Sequence, residues 1–188
     1  MINRFFYYFL ALPLALPVAW GLALFHPKLR RALVGRLRAP PQRAPRDPAR
    51  PLVWFHVASA GELLQAEPLL KRFRERGAQL AVTLSSASGL AWLERLAGWP
   101  ELVWAGLLPI DFPRRIGGLL ESLRPSLLVY LQADLWPGLV WGAARRGVPQ
   151  VLVAARVGGG ANWRGRFPLN RFFRDLYGKM DVILAVSA

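Results

Sequence analysis

The chain contains no cysteine and only two histidines among its 188 residues, and these absences exclude several kinds of site. Without thiols there is neither a disulfide framework nor a thiolate metal site. The two histidines, His26 and His56, are too few and too far apart in sequence to form a zinc constellation. The absence of cysteine also means that the redox compartment cannot be inferred from the sequence.

Acidic residues are scarce as well, because 11 Asp and Glu stand against 25 Lys and Arg and the net charge is +14. Nine of the basic residues, but only one acid, Asp47, fall within residues 1–50. This concentration of positive charge favours an anionic membrane surface as partner. Nucleic acid is the weaker alternative, since no helix-turn-helix, zinc finger or aromatic RNA-binding platform is present. We therefore expect no nucleic-acid partner.

Residues 5–25 contain no charged side chain, and 21 such residues are enough to cross a bilayer core of ~30 Å as a helix. Pro13 and Pro17 would kink that helix, so a re-entrant helix in one leaflet is an alternative to a full crossing. A cleaved signal peptide fits less well because the apolar segment is long. The positive-inside rule places the flanking cations, and hence the globular part, on the cytoplasmic side of the inner membrane: Lys28, Arg30, Arg31, Arg36 and Arg38.

The sequence divides into three parts. Residues 1–38 are the membrane anchor with its basic flank, and residues 51–188 are long enough for one globular domain. Residues 39–50, rich in proline and arginine, predict a stiff, solvated linker between them.

Strand and helix patterns alternate throughout the globular part. Short apolar runs predict strands at 52–57, 79–84, 101–106, 126–131, 150–155 and 181–186. Helical spacing predicts helices near 62–76, 87–97, 112–123, 137–146 and 167–177. This alternation indicates an α/β fold with a doubly wound parallel sheet. The loops after the strands then meet at one edge, where ligands bind in such folds, and these loops contain Ser85 and Ser86, 109–111, 132–137 and 156–160.

The first of these loops contains the leading candidate for chemistry. The strand at 52–57 is followed by the small residues Ser59, Ala60 and Gly61, which would let a substrate approach the backbone. Glu62 follows at the predicted helix start, at the mouth of the crevice. The structural alternative is that its carboxylate only complements the positive end of the helix dipole, worth roughly 0.3–1 kcal/mol.

The loop after the fourth strand is the most unusual. It combines Gln132, Asp134 and Trp136, followed by Pro137 as a well-suited first residue of the next helix. Taken alone, Asp134 is equally compatible with a helix cap and Trp136 with core packing. Together with Glu62 they indicate a polar site at the sheet edge.

Four features together resemble the 3-deoxy-D-manno-octulosonic acid (Kdo) transferases of lipopolysaccharide biosynthesis. They are the apolar N-terminal anchor, W-F-H-V-A-S-A-G-E at 54–62, L-W-P at 135–137 and V-L-V-A-A-R at 151–156. The resemblance implies a membrane-associated, metal-independent, inverting glycosyltransferase of GT-B architecture, with two Rossmann-like domains facing a cleft. In that family the N-terminal domain binds the lipid A acceptor and the C-terminal domain binds the donor CMP-Kdo.

The resemblance also assigns roles to residues of this chain. Glu62 matches the proposed general base, which takes the proton from the attacking sugar hydroxyl, as a carboxylate in a partly desolvated crevice can do. Arg156 stands where cationic donors could bind acceptor phosphates, and Arg164 and Arg166 are either further donors or solvated surface charge. The full set of expected acceptor-binding residues is Ser59, Gly61, Gln132, Asp134, Trp136 and Arg156.

Two loops depart from the family pattern. Where the family usually reads E-T-E-L-W-P-N, this chain has Gln132 and Asp134 in place of the two glutamates and Gly138 in place of the asparagine. Where the family continues N-A-R-L-S-E-R, this chain has three glycines at 158–160, which favour a flexible loop over a backbone cradle for an anion.

The sequence ends at Ala188, where the family would continue into its donor-binding domain, so we expect the chain alone not to transfer sugar. Two other functions stay open at this point. One is a membrane-anchored module that binds a glycolipid without chemistry. The other is a subunit that completes its cleft with a separately encoded donor-binding domain.

Overall fold

A computed structural model of the chain describes residues 2–37, 44–132, 134–156 and 169–186. Its centre is a sheet of six parallel strands in the order β3-β2-β1-β4-β5-β6. Each strand lies within one residue of its predicted bounds at either end, and the doubly wound parallel sheet is confirmed. The strands are β1 (Leu52–Val57), β2 (Gln79–Leu84), β3 (Leu102–Leu107), β4 (Leu127–Leu131), β5 (Gln150–Arg156) and β6 (Val182–Val186).

Helices precede the sheet and alternate with its strands. The N-terminal segment consists of α1 (Ile2–Phe6), a π-helical turn (Tyr7–Ala11), α2 (Leu12–Phe25) and α3 (Pro27–Leu37). The helices between the strands are α4 (Ala60–Glu75), α5 (Leu90–Arg95), α6 (Pro113–Leu123), α7 (Pro137–Ala144) and α8 (Leu169–Tyr177).

The helix predicted at 87–97 differs most from the expectation. It consists of a 3₁₀ turn, Ala87–Gly89, followed by the short α5. The Ser86 hydroxyl accepts a hydrogen bond from the backbone N–H of Ser88, which holds the backbone in a turn. Serine and glycine favour such local turns over a regular helix, so the full helix begins only at Leu90.

The core lies in two layers, one on each face of the sheet. Successive residues of a strand point to opposite faces, so Trp54 packs with α6, α7 and α8 while Phe55 packs with α4 and α5. All six residues of β1 are buried, as expected of a strand at the centre of a parallel sheet. At the edge of the sheet, by contrast, the apolar side chains of β6 are about half exposed.

The predicted apolar segment is a nearly continuous helix from Ile2 to Phe25, 24 residues long and apolar enough to cross a membrane. Of the two prolines predicted to kink it, Pro17 lies inside α2 without interrupting the helix, and a π-helical turn precedes Pro13. Pro13 cannot donate to Phe9, four residues earlier, and its ring clashes with that carbonyl in a regular α-helix. The wider π-helical turn over Tyr7–Ala11 accommodates this conflict.

Helix α3 returns from the end of α2 to the sheet, and we call residues 2–37 the N-terminal hairpin. One foot of the hairpin is Tyr7, whose hydroxyl donates to Asp111 Oδ2 at 2.8 Å. The other foot is Arg36, which donates to the Ser85 backbone oxygen at 2.6 Å. Arg36 was predicted to be a cation flanking the membrane, but it is buried, because the side chain points into the domain.

Part of the predicted linker is held against the domain. The Arg46 guanidinium donates to the carbonyl of Leu123 at 3.2 Å and to the side-chain oxygen of Gln79 at 2.7 Å. The same Gln79 oxygen accepts from the Asp47 backbone N–H at 2.9 Å. Residues 44–50 therefore contact the amino-terminal edge of the sheet while most of them stay exposed to solvent, and 39–43 lie outside the described residues.

Candidate functional site

The strand order reverses between β1 and β4, which are neighbours in the sheet although β2 and β3 lie between them in sequence. In open parallel sheets the crevice beyond the carboxyl ends of the strands at such a switch point is the usual ligand site. The loop after β1 leads to Glu62, and the loop after β4 contains Gln132, Asp134 and Trp136. The fold thus brings the two sequence motifs to the same crevice.

Glu62 lies in the first turn of α4, where it takes part in a variant of the capping box in which its carboxylate bonds the residue before the N-cap Ser59. Its carboxylate Oε2 accepts from the backbone N–H of Ala58 at 2.7 Å, and its own N–H donates to the Ser59 hydroxyl at 3.5 Å. The spacing Ser59-x-x-Glu62 is the sequence signature of this arrangement and would have predicted it. Within the described residues Glu62 Oε1 makes no hydrogen bond, so one carboxylate oxygen is left available at the crevice.

The surroundings make the Glu62 carboxylate a better base than an exposed glutamate. Burial raises the pKa of Glu62, and the negative charge of nearby Asp134 raises it further. The hydrogen bond from Ala58 acts in the opposite direction, because it stabilises the ionised form. The net shift is upward, toward the pH at which a general base works best.

The predicted contact residues Ser59 and Gly61 lie next to this carboxylate. The Ser59 hydroxyl is engaged in the cap, but Gly61 faces open space. A Cβ atom built on Gly61 would have Ser59 Oγ, at 3.9 Å, as its nearest neighbour. No packing within the described residues demands a glycine there, so the space is available to a ligand.

Asp134 is the centre of a hydrogen-bonded cluster. Its Oδ2 accepts from the Ser85 hydroxyl in a very short contact, and it lies 3.3 Å from His56 Nε2. Trp136 Nε1 donates to Ser85 Oγ at 2.7 Å. Three residues from the ends of β1, β2 and β4 therefore fix the Asp134 carboxylate, which was not apparent from the sequence.

His56 is wholly buried, and its hydrogen-bond partners indicate a proton on Nε2. Because Ser85 Oγ gives its proton to Asp134, His56 Nε2 must donate toward Asp134 and Ser85. On the other side, His56 Nδ1 lies 2.8 Å from Thr83 Oγ1, which itself accepts from Trp54 Nε1 at 2.8 Å. Thr83 Oγ1 also donates to the carbonyl of Phe55 at 3.4 Å, so both ring nitrogens of His56 have a polar partner.

This cluster keeps Asp134 ionised. Burial alone would raise the pKa of Asp134, but the hydrogen bond and charge of His56 lower it, followed by the hydrogen bonds from Ser85 and Trp136. The net pKa lies below the ordinary value. Asp134 is thus a fixed negative charge near Glu62, and the oxygen that accepts from its neighbours is already in use.

Arg36 closes the cluster from the hairpin side. Its guanidinium lies over the Trp136 ring, 4.2 Å from the ring centroid, while Nη2 donates to the Ser85 carbonyl. A desolvated cation over an indole face contributes roughly 2 kcal/mol. No sequence signal distinguishes Arg36 from the other basic residues of the hairpin.

Gln132 ends β4 in the left-handed backbone region, with a φ of 55°. Its N–H donates to the carbonyl of Val153, and its side-chain amide donates to Gln65 of α4 at 3.1 Å. A non-glycine residue held in this region costs roughly 1–3 kcal/mol, and such positions concentrate at functional sites. The amide therefore spans the crevice from β4 toward the helix that contains Glu62.

Arg156 ends β5 just after an irregularity, because Ala154 has a φ of 55° and the register with β6 shifts there. Such bulges change the direction of the side chains that follow. The Arg156 side chain itself, like Arg164, Arg166 and the glycines at 158–160, lies outside the described residues.

A second polar cluster joins the hairpin to α7. Asp111 is fully buried, and its Oδ2 accepts from the N–H of Gly138 at 2.6 Å and from Tyr7. Its Oδ1 has no partner within the described residues. Burial raises the pKa of Asp111 to about 7, against the effect of these hydrogen bonds. A Cβ on Gly138 would lie 2.5 Å from Asp111 Oδ1, which explains the glycine at this position.

Across the described ranges, no group of three or more His, Cys, Asp or Glu side chains is placed to hold an ion.

Residues 31–188 match the family model described as 3-deoxy-D-manno-octulosonic-acid transferase (Kdo transferase). The chain belongs to this family. The match includes Glu62, the 132–137 loop and β5, so the resemblance inferred from the motifs is confirmed.

Curated Kdo transferases are identical to this chain at about a third of the aligned positions. The enzyme from Bordetella pertussis is 33% identical over 153 residues, which is 76% of this chain and 34% of its own length. The one from Chlamydophila psittaci is 35% identical over 71% of this chain and 31% of its own. The one from Chlamydia pneumoniae is 29% identical over 93% and 39%. The chain thus spans about a third of the length of these relatives.

Solved structures extend the comparison to the fold. MurG from Acinetobacter baumannii matches 73% of this chain and 42% of its own with a TM-score of 0.53 and 10% identity. A UDP-N-acetylglucosamine 2-epimerase matches with a TM-score of 0.54 and 13% identity. These structures share the parallel-sheet fold of the chain, whose strand order is that of a Rossmann-like domain.

Proposed function

We propose that the chain provides the acceptor side of an inverting Kdo transferase and that Glu62 is its general base. The observation that carries the proposal is the position of Glu62: it lies at the switch point, is half buried, has a raised pKa and keeps Oε1 free of hydrogen bonds within the described residues. The family relationship supplies the donor, CMP-Kdo, and an acceptor of the lipid A type.

The proposed reaction is a single displacement. An acceptor hydroxyl attacks the anomeric carbon of Kdo, and Glu62 Oε1 takes the hydroxyl proton as the new C–O bond forms. The bond between that carbon and the CMP phosphate breaks, and CMP leaves with the electron pair. Because attack and departure occur on opposite faces, the configuration inverts.

In this scheme the fixed negative charge of Asp134 acts on the base Glu62. It raises the pKa of the base, and it cannot easily leave its place because His56, Ser85 and Trp136 hold it. Gln132, whose amide reaches α4, and the open space over Gly61 define where the acceptor sugar would bind. Arg156 would contact an acceptor phosphate from the neighbouring strand end.

The family and the apolar helix together indicate association with a membrane. We propose further that this membrane is the inner membrane and that the domain faces the cytoplasm, as the exposed cations after Phe25 favour. A lipid-anchored acceptor and a soluble nucleotide sugar would then meet at the same surface.

The experiment is to place Glu62→Gln in the native gene and measure Kdo transfer from CMP-Kdo to a lipid A precursor in isolated membranes. The amide keeps the shape and can still accept from Ala58 but cannot take a proton. Loss of a general base predicts a decrease in rate of about 10²–10⁴-fold with acceptor binding retained.

The matched control is Glu67→Gln on the same helix, where the carboxylate forms only a surface pair with Lys71 at 2.8 Å. It should leave the rate unchanged. A Glu62→Gln protein with wild-type turnover would overturn the proposed base. If the unaltered protein binds the acceptor but shows no turnover, a glycolipid-binding module is favoured instead.

The independence of the transfer from metal is also proposed, on the basis of the family resemblance. Kdo transfer measured with and without EDTA tests it, since a chelator should leave the rate unchanged. A rate that falls with EDTA and returns with added divalent cation would contradict it.

A further inference from the structure

The two feet of the N-terminal hairpin contact adjacent points of the domain. Tyr7 binds Asp111, whose carboxylate also binds the N–H of Gly138. Arg36 lies over Trp136, only two residues before Gly138. The two ends of the hairpin are therefore held side by side at the carboxyl edge of the sheet.

Between the feet, the two helices of the hairpin differ in length, because α3 covers only about 14 Å from Pro27 to Arg36. From Tyr7 to Phe25 the chain runs 18 helical residues, or about 27 Å at the rise of an α-helix. Only Leu12 and Ala23 of α2 are buried, where α3 packs along it. The helix has no polar side of its own, so the part that α3 leaves uncovered is an apolar face. Between 46 and 81% of each side chain is exposed there at Ile2, Phe5, Phe6, Phe9, Leu10, Leu14, Val18, Leu22, Leu24 and Phe25.

Cations lie next to both ends of this apolar face. At the first turn, Arg4 lies over the Trp141 ring of the domain, 5.7 Å from the ring centroid, whereas Lys28, Arg30 and Arg31 are exposed directly after the last residue. If the hairpin entered the bilayer end-on from its two feet, these three cations would lie about as deep as its tip. Charged side chains in the hydrocarbon are costly and rare without partners.

A full crossing conflicts with the docking of the feet. A spanning helix would have Ile2 and His26 on opposite sides of the membrane, while Tyr7 and Arg36 both contact the domain. With one domain on one side, either the Tyr7–Asp111 contact or the Arg36–Trp136 contact would have to break. An in-plane helix keeps both contacts and leaves the cations at headgroup level.

We propose that the N-terminal hairpin is a one-leaflet anchor that lies in the plane of an anionic lipid surface, with its apolar face among the acyl chains and Lys28, Arg30 and Arg31 at the lipid phosphates. Both ends of the helix remain on the side of the membrane that the domain occupies. This arrangement is independent of sugar transfer. It places the carboxyl edge of the sheet, with Glu62, beside the lipid surface.

The absence of cysteine makes the arrangement directly testable by labelling. Single-cysteine variants at the polar ends of the helix, Asn3→Cys and His26→Cys, are compared in sealed membrane vesicles with Ser122→Cys, an exposed position on α6 of the domain. The reagent is a membrane-impermeant maleimide, added before and after detergent. The proposal predicts equal labelling of all three positions from the same side.

The other labelling outcomes overturn it. Protection of one helix end while the other end and Ser122→Cys react would show a crossing. Protection of both ends would place the helix below the headgroups and exclude the in-plane position. Both conclusions hold whichever side the domain faces, because Ser122→Cys reports that side in the same preparation.

The lipid charge is tested with vesicles of phosphatidylcholine with or without phosphatidylglycerol. Neutralising the three cations at the end of the apolar face (Lys28→Gln, Arg30→Gln, Arg31→Gln) should weaken binding to the anionic vesicles about fivefold per charge. The matched control neutralises three exposed cations of α4 and its end: Lys71→Gln, Arg72→Gln and Arg76→Gln. Equal loss in both sets, or binding that does not depend on phosphatidylglycerol, would overturn the proposed contact.

Discussion

Two carboxylates of this chain lie at helix starts, and they contrast in almost every other respect. Glu62 belongs to the helix it caps, is half buried and keeps one oxygen free within the described residues. Asp111 lies in the loop before α6, and its carboxylate accepts from Gly138 in the first turn of α7. It is wholly buried and covered by Tyr7 from the N-terminal hairpin. Burial raises the pKa of both. In the proposed assignment, access of a substrate to the carboxylate separates the base Glu62 from the structural Asp111, although burial acts on both.

The contrast makes opposite demands on the two residues. A base must be reached by a substrate, so its environment has to remain open at the crevice, as the space over Gly61 is. A structural carboxylate stabilises by satisfying donors that would otherwise be buried without partners, as Asp111 does for Tyr7 and Gly138. Substitutions at the two sites should therefore separate activity from stability.

The largest effect on stability is expected for Asp111→Ala. It leaves the Tyr7 hydroxyl and the Gly138 N–H buried without an acceptor, at about 1–3 kcal/mol each. Urea unfolding of the purified protein in detergent measures the loss in free energy of unfolding. Kdo transfer per folded molecule should stay near wild type, in contrast to Glu62→Gln. A variant of wild-type stability would mean that Asp111 is not the structural carboxylate.

The pH dependence of stability gives the next effect. Because the pKa of Asp111 is raised to about 7 in the folded protein, folding favours the protonated acid. Its contribution is fully present below about pH 4 and is lost as the pH rises to about 7, a decrease of about 4 kcal/mol in the free energy of unfolding.

Asp111→Asn, which cannot ionise, is the comparison that isolates this change. The difference in unfolding free energy between Asp111→Asn and wild type should shift in favour of the variant as the pH rises from about 4 to about 7. Parallel stability curves for the two proteins would contradict the raised pKa.

Tyr7→Phe should have a smaller effect, of about 1–3 kcal/mol, because it removes one donor to Asp111 and keeps the ring contacts with Trp141 and Phe172. Thermal unfolding compares it with Tyr8→Phe, whose hydroxyl makes no hydrogen bond within the described residues. Tyr8→Phe should change stability by less. Equal effects would show that the hydroxyl of Tyr7 is not what holds the hairpin.

Gly61→Ala should have the smallest effect on stability and the most specific effect on function. Alanine fits the open space and favours the helix by up to about 1 kcal/mol. An acceptor that approaches the backbone there would meet the new methyl group, and overpacking of about 1–3 kcal/mol corresponds to a KM about 5- to 150-fold higher. An unchanged KM for the acceptor would place the sugar elsewhere.

Local sequence patterns predicted the parts of the molecule that depend on local rules. The six strands followed from short apolar runs, and the position of Glu62 followed from a strand that ends in small residues. The capping box of Ser59 and Glu62 was also readable from its spacing.

The remaining contacts join residues that are distant in sequence and were not predictable. Tyr7 and Asp111 are 104 residues apart, and Ser85 and Asp134 are 49 apart. Nothing in the charge pattern separated the buried Arg36 from its exposed neighbours. Such contacts depend on how the hairpin packs on the sheet, which no local rule describes.

The central claim, that Glu62 is the base, is tested most directly by the pH dependence of kcat/KM for Kdo transfer in wild type and Glu62→Gln. The account predicts an acid-side limb in wild type, at a pH above the ordinary pKa of a glutamate, because burial and Asp134 raise the pKa of Glu62. The residual activity of Glu62→Gln should lack this limb. A variant that keeps both the rate and the limb would show that another group accepts the proton.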